Sequence, residues 1–288
     1  MTRSMRNGRT PDMPHLFCFG LGFSATTLAQ RLKARGWTVT GTSRAGGDGT
    51  IAFDGTAPLP PPCFKGVTHL LISVPPGEAG DPVLKCHAED LRQLVPALEW
   101  AGYLSTTGVY GDRHGEWVDE TSPLQPSTKR GERRLAAETG WLKLGLPLHI
   151  FRLAGIYGPG RNQLVSILDG TARRIVKPGQ IFSRIHVEDI AGVLDASIAK
   201  PQPGRAYNVC DDEPCPPQDV VAFAAHLLKR PPPPEIAFDD AELSPMAKSF
   251  YAESKRVSNT RIKAELGYRL TYPSYRDGLA ALLADLPA

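Results

Sequence analysis

The chain has 288 residues, 41% of them hydrophobic, with 33 basic and 30 acidic side chains and a formal charge of +3. That is ample material for a core, which excludes a disordered chain, and the small charge excludes the large one-sided basic excess of a nucleic-acid binder. No run approaches the ~18–20 apolar residues of a membrane helix, so neither membrane nor nucleic acid is an expected partner.

Met1 to Met13 holds three arginines without the apolar stretch of a secretory signal. It reads as a flexible lead-in, with an Arg-containing targeting peptide as the alternative. The five cysteines, Cys18, Cys63, Cys86, Cys210 and Cys215, are odd in number and show no Cys-x-x-Cys spacing. Reduced thiols in a cytoplasmic protein are expected, with no metal site.

His15 to Phe19 is a short apolar run that ends at a glycine turn. Ala25, Leu28, Ala29 and Leu32 then recur at helical spacing, Gly36 stops the helix, and Trp37 to Gly41 alternates as a strand does. Thr50–Phe53 and His69–Val74 read as further strands, the latter apolar enough to be covered on both faces. Asp81–Leu98 reads as a helix, Ala101–Ser105 as a strand, Lys129–Leu144 as a helix and Leu148–Leu153 as a strand. This alternation predicts an α/β Rossmann fold, a doubly wound parallel sheet.

Beyond Gly155 the rhythm loosens. Leu164–Arg173, Val187–Ala199 and Asp219–Leu228 read as helices, and Ala206–Cys210 and Ile236–Phe238 as strands. The proline clusters Pro58–Pro62 and Pro231–Pro234 read as rigid loops rather than as polyproline ligands. The expected organisation is a lead-in over 1–13, a dinucleotide-binding domain over 14–155 and a smaller substrate-binding lobe over 156–288. About 186–210 would return to the sheet.

The turn Gly20-Leu21-Gly22-Phe23-Ser24-Ala25 follows a strand and opens a helix inside a βαβ unit. Gly20 permits the tight reversal, Gly22 lets a pyrophosphate approach the backbone, and Ala25 lets the helix pack on the strand. The N–H groups of Gly22, Phe23 and Ser24 would face the phosphates. At the end of the second strand, where an acid would hold the ribose 2′-OH of NAD, the chain has Thr42-Ser43-Arg44. Ser43 and Arg44 suit a 2′-phosphate, so NADP is expected over NAD.

Four later segments carry a resemblance: Leu104-Ser-Thr-Thr-Gly-Val-Tyr-Gly111, Arg152-Leu-Ala-Gly-Ile-Tyr-Gly-Pro-Gly160, Arg184-Ile-His-Val-Glu-Asp-Ile190 and Tyr207-Asn-Val209. In order and spacing they resemble the extended short-chain dehydrogenase/reductases, the NAD-dependent epimerase/dehydratase superfamily. The likeness runs from His15 to the end. It implies a coenzyme domain, a smaller C-terminal lobe and a substrate between them. By position, Asp54 would hold the adenine amino group, Ser73 and Val74 would line the adenosine, and Thr106 would be the active-site Ser/Thr.

The superfamily's acid–base pair is a Tyr and a Lys four residues later on one helix. The matching stretch here is Pro126-Ser-Thr-Lys-Arg130-Gly-Glu-Arg-Arg134, with arginine at both positions. A guanidinium does not exchange protons near neutrality, so Arg130 is expected to bind an anion and Arg134 the coenzyme ribose. The chain thus resembles the atypical branch that lacks the Tyr/Lys pair, as do Ser73-Val-Pro-Pro-Gly77 and the stretch Leu266-Gly-Tyr268 to Tyr272-Pro273.

Thr106, Tyr110 and Tyr157 are the catalytic candidates, the tyrosines as substitute acid–base groups on loops after strands. The alternative for each tyrosine is a packed ring bonded to backbone. Thr107, Arg130, Arg161, Arg184 and His186 are the substrate-binding candidates, with Arg130, Arg161 and Arg184 forming an anion-binding rim. Three solvated surface arginines, and a structural histidine opening a helix, are the alternatives. Two readings stay open: an NADP-dependent oxidoreductase or epimerase on a small polar or anionic, sugar-like substrate, and a non-catalytic NAD(P)-responsive regulator. The oligomeric state is also open, a homodimer being one option.

Overall fold

The computed structural model describes residues 13–286, so all of the expected lead-in except Met13 lies outside the described residues. The strands are β1 His15–Phe19, β2 Thr38–Ser43, β3 Ile51–Ala52, β4 His69–Ile72, β5 Trp100–Thr106, β6 Trp117–Val118 and β7 Leu148–Leu153. They continue as β8 Gly155–Tyr157, β9 Arg174–Val176, β10 Arg184–His186, β11 Ala206–Val209, β12 Glu235–Ala237 and β13 Arg256–Val257. The helices are α1 Phe23–Ala34, α2 Pro82–Leu94, α3 Lys129–Leu142, α4 Gln163–Leu168 and α5 Val187–Ala199. After these come α6 Pro217–Leu227, α7 Pro245–Tyr251, α8 Thr260–Leu266 and α9 Tyr275–Ala284.

Seven strands form one parallel sheet in the order β11-β7-β5-β4-β1-β2-β3. It is a Rossmann-type α/β sheet, with β11 adding an edge strand from the C-terminal half. Pleating sends alternate residues of β1 to opposite faces. Leu16 and Cys18 join a core with Leu28 and Leu32 of α1 and Ile190 and Val193 of α5. Phe17 and Phe19 join the other core, with Val83 and Leu91 of α2 and Ala137 and Trp141 of α3. Strand order reverses between β1 and β4, and the crevice at their carboxyl ends is where such sheets receive ligands.

The C-terminal lobe has its own core of Leu164, Val220, Ala224, Tyr275, Leu279 and Leu282, drawn from α4, α6 and α9. Two-stranded parallel pairs, β10 with β8, β12 with β9 and β13 with β6, stitch the later segments together. The helix expected over 164–173 stops at Leu168, because Gly170 turns the chain at φ +68° and Arg174–Val176 then pairs with β12. The helix expected over 81–98 is α helical only to Leu94, and Pro96 lies in a closing 3₁₀ turn. Among the described residues, no helix is long and apolar enough to cross a membrane.

Candidate coenzyme and substrate clefts

Two cavities open at the carboxyl ends of the strands, and Ser73 lines both. The first, of about 580 Å³, is walled by Gly20, Gly22, Ser43, Arg44, Phe53, Asp54, Ser73 and Val74. Gly20 has φ +85°, and a Cβ on it would lie 2.9 Å from Val74 Cγ2, so glycine is required on both counts. A Cβ on Gly22, by contrast, would meet no protein atom within 4 Å. The space beside Gly22 is therefore open for something other than the chain.

Helix α1 begins at that opening. Gly22 is its N-cap and supplies no capping side chain, and the first turn holds no acid. Its first N–H groups therefore keep their donors and their partial positive charge for a ligand. Ser24 is buried and lines the second cavity, while Phe23 lines neither and packs against Gly158. At the far end of the first cavity Asp54 accepts from Thr56 N and Oγ1, at 2.9 and 2.6 Å, and these bonds hold its carboxyl below the usual range. Exposed Arg44 follows β2, and Ser43 Oγ is 2.7 Å from Thr50 Oγ1.

The second cavity, of about 490 Å³, reaches into the C-terminal lobe. Its floor is Thr106, Thr107 and Gly108 at the end of β5, and Thr106 Oγ1 accepts from Gly108 N at 3.2 Å. Helix α3 approaches closely because residue 131 is glycine: a Cβ there would sit 2.8 Å from the Gly108 carbonyl oxygen. Thr128 caps that helix by accepting from Gly131 N at 3.1 Å. Arg130 and Arg134 are thereby set one turn apart along the cavity wall, facing Arg161 and Arg184 from the C-terminal half.

None of these four guanidiniums forms an ion pair with a described acid. Arg134 donates to Leu104 O at 2.7 Å and Tyr103 Oη at 3.2 Å. Arg184 donates to Phe182 O and Cys215 Sγ, both at 3.1 Å, and Arg130 lies over the Phe250 ring at 5.2 Å. Arg130 opens on the cavity but is crowded by protein. That desolvation, then the charges of Arg134 and Arg161, lower its pKa, while Glu253 opposes them. The arrangement attracts an anion.

No family model matches the chain. A conserved protein of unknown function from Silicibacter pomeroyi DSS is 53% identical and superposes with a TM-score of 0.88, covering 95% of this chain and 99% of that one. Protein YeeZ of Escherichia coli K12 is 29% identical across 88% of this chain and 94% of its own length. A Methylobacillus flagellatus protein, described as an NAD-dependent epimerase/dehydratase, is 29% identical with a TM-score of 0.69, covering 95% and 98% of the two chains. Over nearly its whole length the chain is similar to an epimerase/dehydratase-type protein, and it shares the fold of the short-chain dehydrogenase/reductases. The human epimerase family protein SDR39U1, solved with NADPH, shares the fold at 21% identity and a TM-score of 0.73, over 95% of this chain and 100% of that one.

Within this short-chain reductase fold, three sequence expectations need correction. Tyr110 does not face the cleft. It is fully buried, its Oη donating to Asn208 Oδ1 at 2.7 Å and accepting from Arg152 at 3.0 Å. Tyr157 is also turned away, donating to Ser274 O at 3.3 Å beneath α9, and burial raises the pKa of its phenol far above the ordinary value. His186 lies between the rings of Tyr157 and Tyr272 and caps α5 by accepting from Glu188 N, and burial lowers its pKa. None of the three lines either cavity, and each has a structural task.

Two charged cleft residues escaped the sequence reading. Glu253 and Lys255 line the second cavity with Nζ and Oε2 2.6 Å apart, and Ser127 Oγ donates to the other carboxylate oxygen at 2.8 Å. They lie between α7 and β13 in a stretch with no hydrophobic period. The alternation Glu253-Ser254-Lys255 was the only local hint.

Proposed function

We propose that this protein is an NADP-dependent oxidoreductase or epimerase acting on a small, polar, anionic substrate. The observation that carries the reading is the meeting of the two cavities at Ser73. One presents the open glycine turn and a helix N-terminus, and the other presents Thr106 beneath four guanidiniums without acidic partners. Gly22 and, at the edge of the second cavity, Ser24 would hold the pyrophosphate of a nicotinamide dinucleotide, Asp54 and Phe53 its adenine, and Ser43 and Arg44 a 2′-phosphate.

A bound nicotinamide supplies or accepts the hydride. The chain's own part is to orient the substrate. Thr106 polarises a substrate carbonyl or hydroxyl, and Thr107 adds a second hydroxyl nearby. Arg130, Arg161 and Arg184 hold the substrate's carboxylate or phosphate, and Arg134 braces the end of β5 beside the ribose. Phe182, Phe250 and Tyr251 close the cavity on its lobe side and keep water from the reacting atoms.

A second reading, a dinucleotide-responsive regulator without chemistry, is favoured by arginine at both acid–base positions of α3. Calorimetry with NADPH, NADP+, NADH and NAD+, followed by NADPH oxidation across anionic aldehydes, ketones and sugar nucleotides, separates the two. Turnover abolished in Thr106→Val supports the enzyme. Tight coenzyme binding with silence across the panel supports the regulator, and no heat with any coenzyme overturns both.

A further inference from the structure

The stretch that carries Glu253 and Lys255 is held from both sides. Lys177 Nζ donates to Tyr251 O, and Gln180 Nε2 donates to Glu253 O at 2.6 Å. Ser254 N donates to Asp112 Oδ1 at 2.8 Å, and its carbonyl accepts from Arg113 N and Gly115 N, each at 3.0 Å. Ser254 Oγ bonds both Gly179 O and Ile181 N, and Val257 N donates to Ser183 Oγ at 3.1 Å. This density of bonds fixes the backbone while two charged side chains project into the cavity.

Lys255 is 8% exposed, and among the described residues its ammonium donates to Glu253 alone. An ammonium carries three donors, so two directions remain for a ligand. The pair stands over the presumed reaction centre. An ideal Cβ on Gly108 would lie 3.6 Å from Thr106 Oγ1 and 3.9 Å from Glu253 Oε2, so the hydroxyl and the carboxylate converge on one small region of the floor.

We propose that Lys255, steadied by Glu253, is the group that exchanges a proton with the substrate, in place of the phenol that α3 lacks. The proposal rests on the cleft being a site of hydride transfer. In the oxidative direction the substrate's carbinol C–H bond breaks, and its electron pair passes as hydride to the oxidised nicotinamide coenzyme. The hydroxyl proton passes to the neutral Lys255 amine, leaving a carbonyl compound and an ammonium beside the Glu253 carboxylate. Reduction runs the same transfers backwards.

The surrounding charges suit this role. Burial lowers the Lys255 pKa, which makes the free amine more accessible, and Arg113 acts in the same sense. Glu253 and Asp112 favour the ammonium and keep the proton available for return. Glu253 also interacts electrostatically with Arg130.

Pyridoxal 5′-phosphate tests the amine without needing the natural substrate. Its aldehyde condenses with an unprotonated amine, losing water, and borohydride fixes the imine for mapping by mass spectrometry. Its phosphate suits the guanidinium wall. At pH 7 Lys255 is expected to label faster than exposed Lys33 and Lys143, and Glu253→Gln should speed its labelling severalfold by removing the carboxylate that favours the ammonium. Lys255 labelling no faster than the surface lysines, or indifference to Glu253→Gln, overturns the proposal.

The catalytic arm uses the carbonyl substrate found in the NADPH-oxidation panel. Lys255→Arg keeps the charge but cannot exchange the proton, and it should lower kcat by about 100-fold or more with coenzyme affinity unchanged. Full turnover by Lys255→Arg overturns the proposal, because a purely structural ion pair survives that change. If no coenzyme binds, the functional reading fails by itself, and the labelling result still decides whether this lysine deprotonates near neutrality.

Discussion

Glu138 on α3 and Arg152 on β7 form an ion pair at 2.9 Å, with both side chains almost wholly buried. Ser105 Oγ donates to the same carboxylate at 2.5 Å, and Arg152 passes the chain of bonds on to Tyr110, which bonds Asn208. The network ties α3 to β5, β7 and β11 behind the floor of the second cavity. Glu138→Ala leaves a guanidinium buried without its counter-charge and should cost about 3–5 kcal/mol. Urea unfolding checks this, and the double variant Glu138→Leu with Arg152→Met should recover part of the loss.

The two glycines of the first turn should fail in different ways. Gly20→Ala forces a side chain into a left-handed backbone against Val74 and should cost about 1–2 kcal/mol of stability. At Gly22→Val the added Cβ meets no protein atom within 4 Å, so the melting temperature should match the parent, but the new side chain enters the space proposed for a pyrophosphate. Calorimetry should then show dinucleotide affinity reduced at least about tenfold, or ~1.4 kcal/mol. Unchanged affinity in Gly22→Val would remove the phosphate from this turn.

Arg44 should set the choice between coenzymes. Arg44→Glu exchanges a cation for an anion at the wall of the first cavity, and a charged hydrogen bond to the proposed 2′-phosphate would be worth about 1.5–3 kcal/mol. NADPH affinity should fall by about tenfold or more while NADH affinity holds or improves. Parallel titrations of the two reduced coenzymes measure the switch.

Asp211 should give the protein a recognisable dependence of stability on pH. Burial pushes its carboxyl up from 3.8 to about 8, against the opposing pull of Arg184, and its Oδ2 has no hydrogen-bond partner among the described residues. Between those values the folded chain keeps a proton that the unfolded chain has released. Stability from this group therefore falls as the pH rises from about 4 to about 8 and levels off above that. Melting temperatures of Asp211→Asn across this window should lack that downward slope, with the variant the more stable at pH 8. Equal slopes in the two proteins would mean that Asp211 is ionised in the folded state.

Much of the sheet was legible because β4 and β7 are buried along their whole length, so that apolar residues such as Leu70-Leu71-Ile72 and Ile150-Phe151 follow one another without polar alternation. The glycine turn was legible because its constraints are local: a positive φ at Gly20 and an open side at Gly22. The direction of a loop side chain is not local. Tyr110 follows β5 as a cleft residue would, yet its hydroxyl is claimed by Asn208, 98 residues further on. Glu253 and Lys255 stayed hidden for the same reason, since their placement depends on Asp112, Gln180 and Ser183 rather than on any period of their own.

The strap from Tyr251 to Val257 borrows its position from turns near residues 112–115 and 177–183. An insertion or deletion within 112–115 or 177–180 would shift the lysine relative to Thr106 without altering a single wall residue. Relatives with identical cleft inventories can therefore differ in reactivity. Exchanging α3 alone for a tyrosine-bearing helix would leave this lysine where it is, so remodelling the cleft around a tyrosine means replacing distant loops together with the helix.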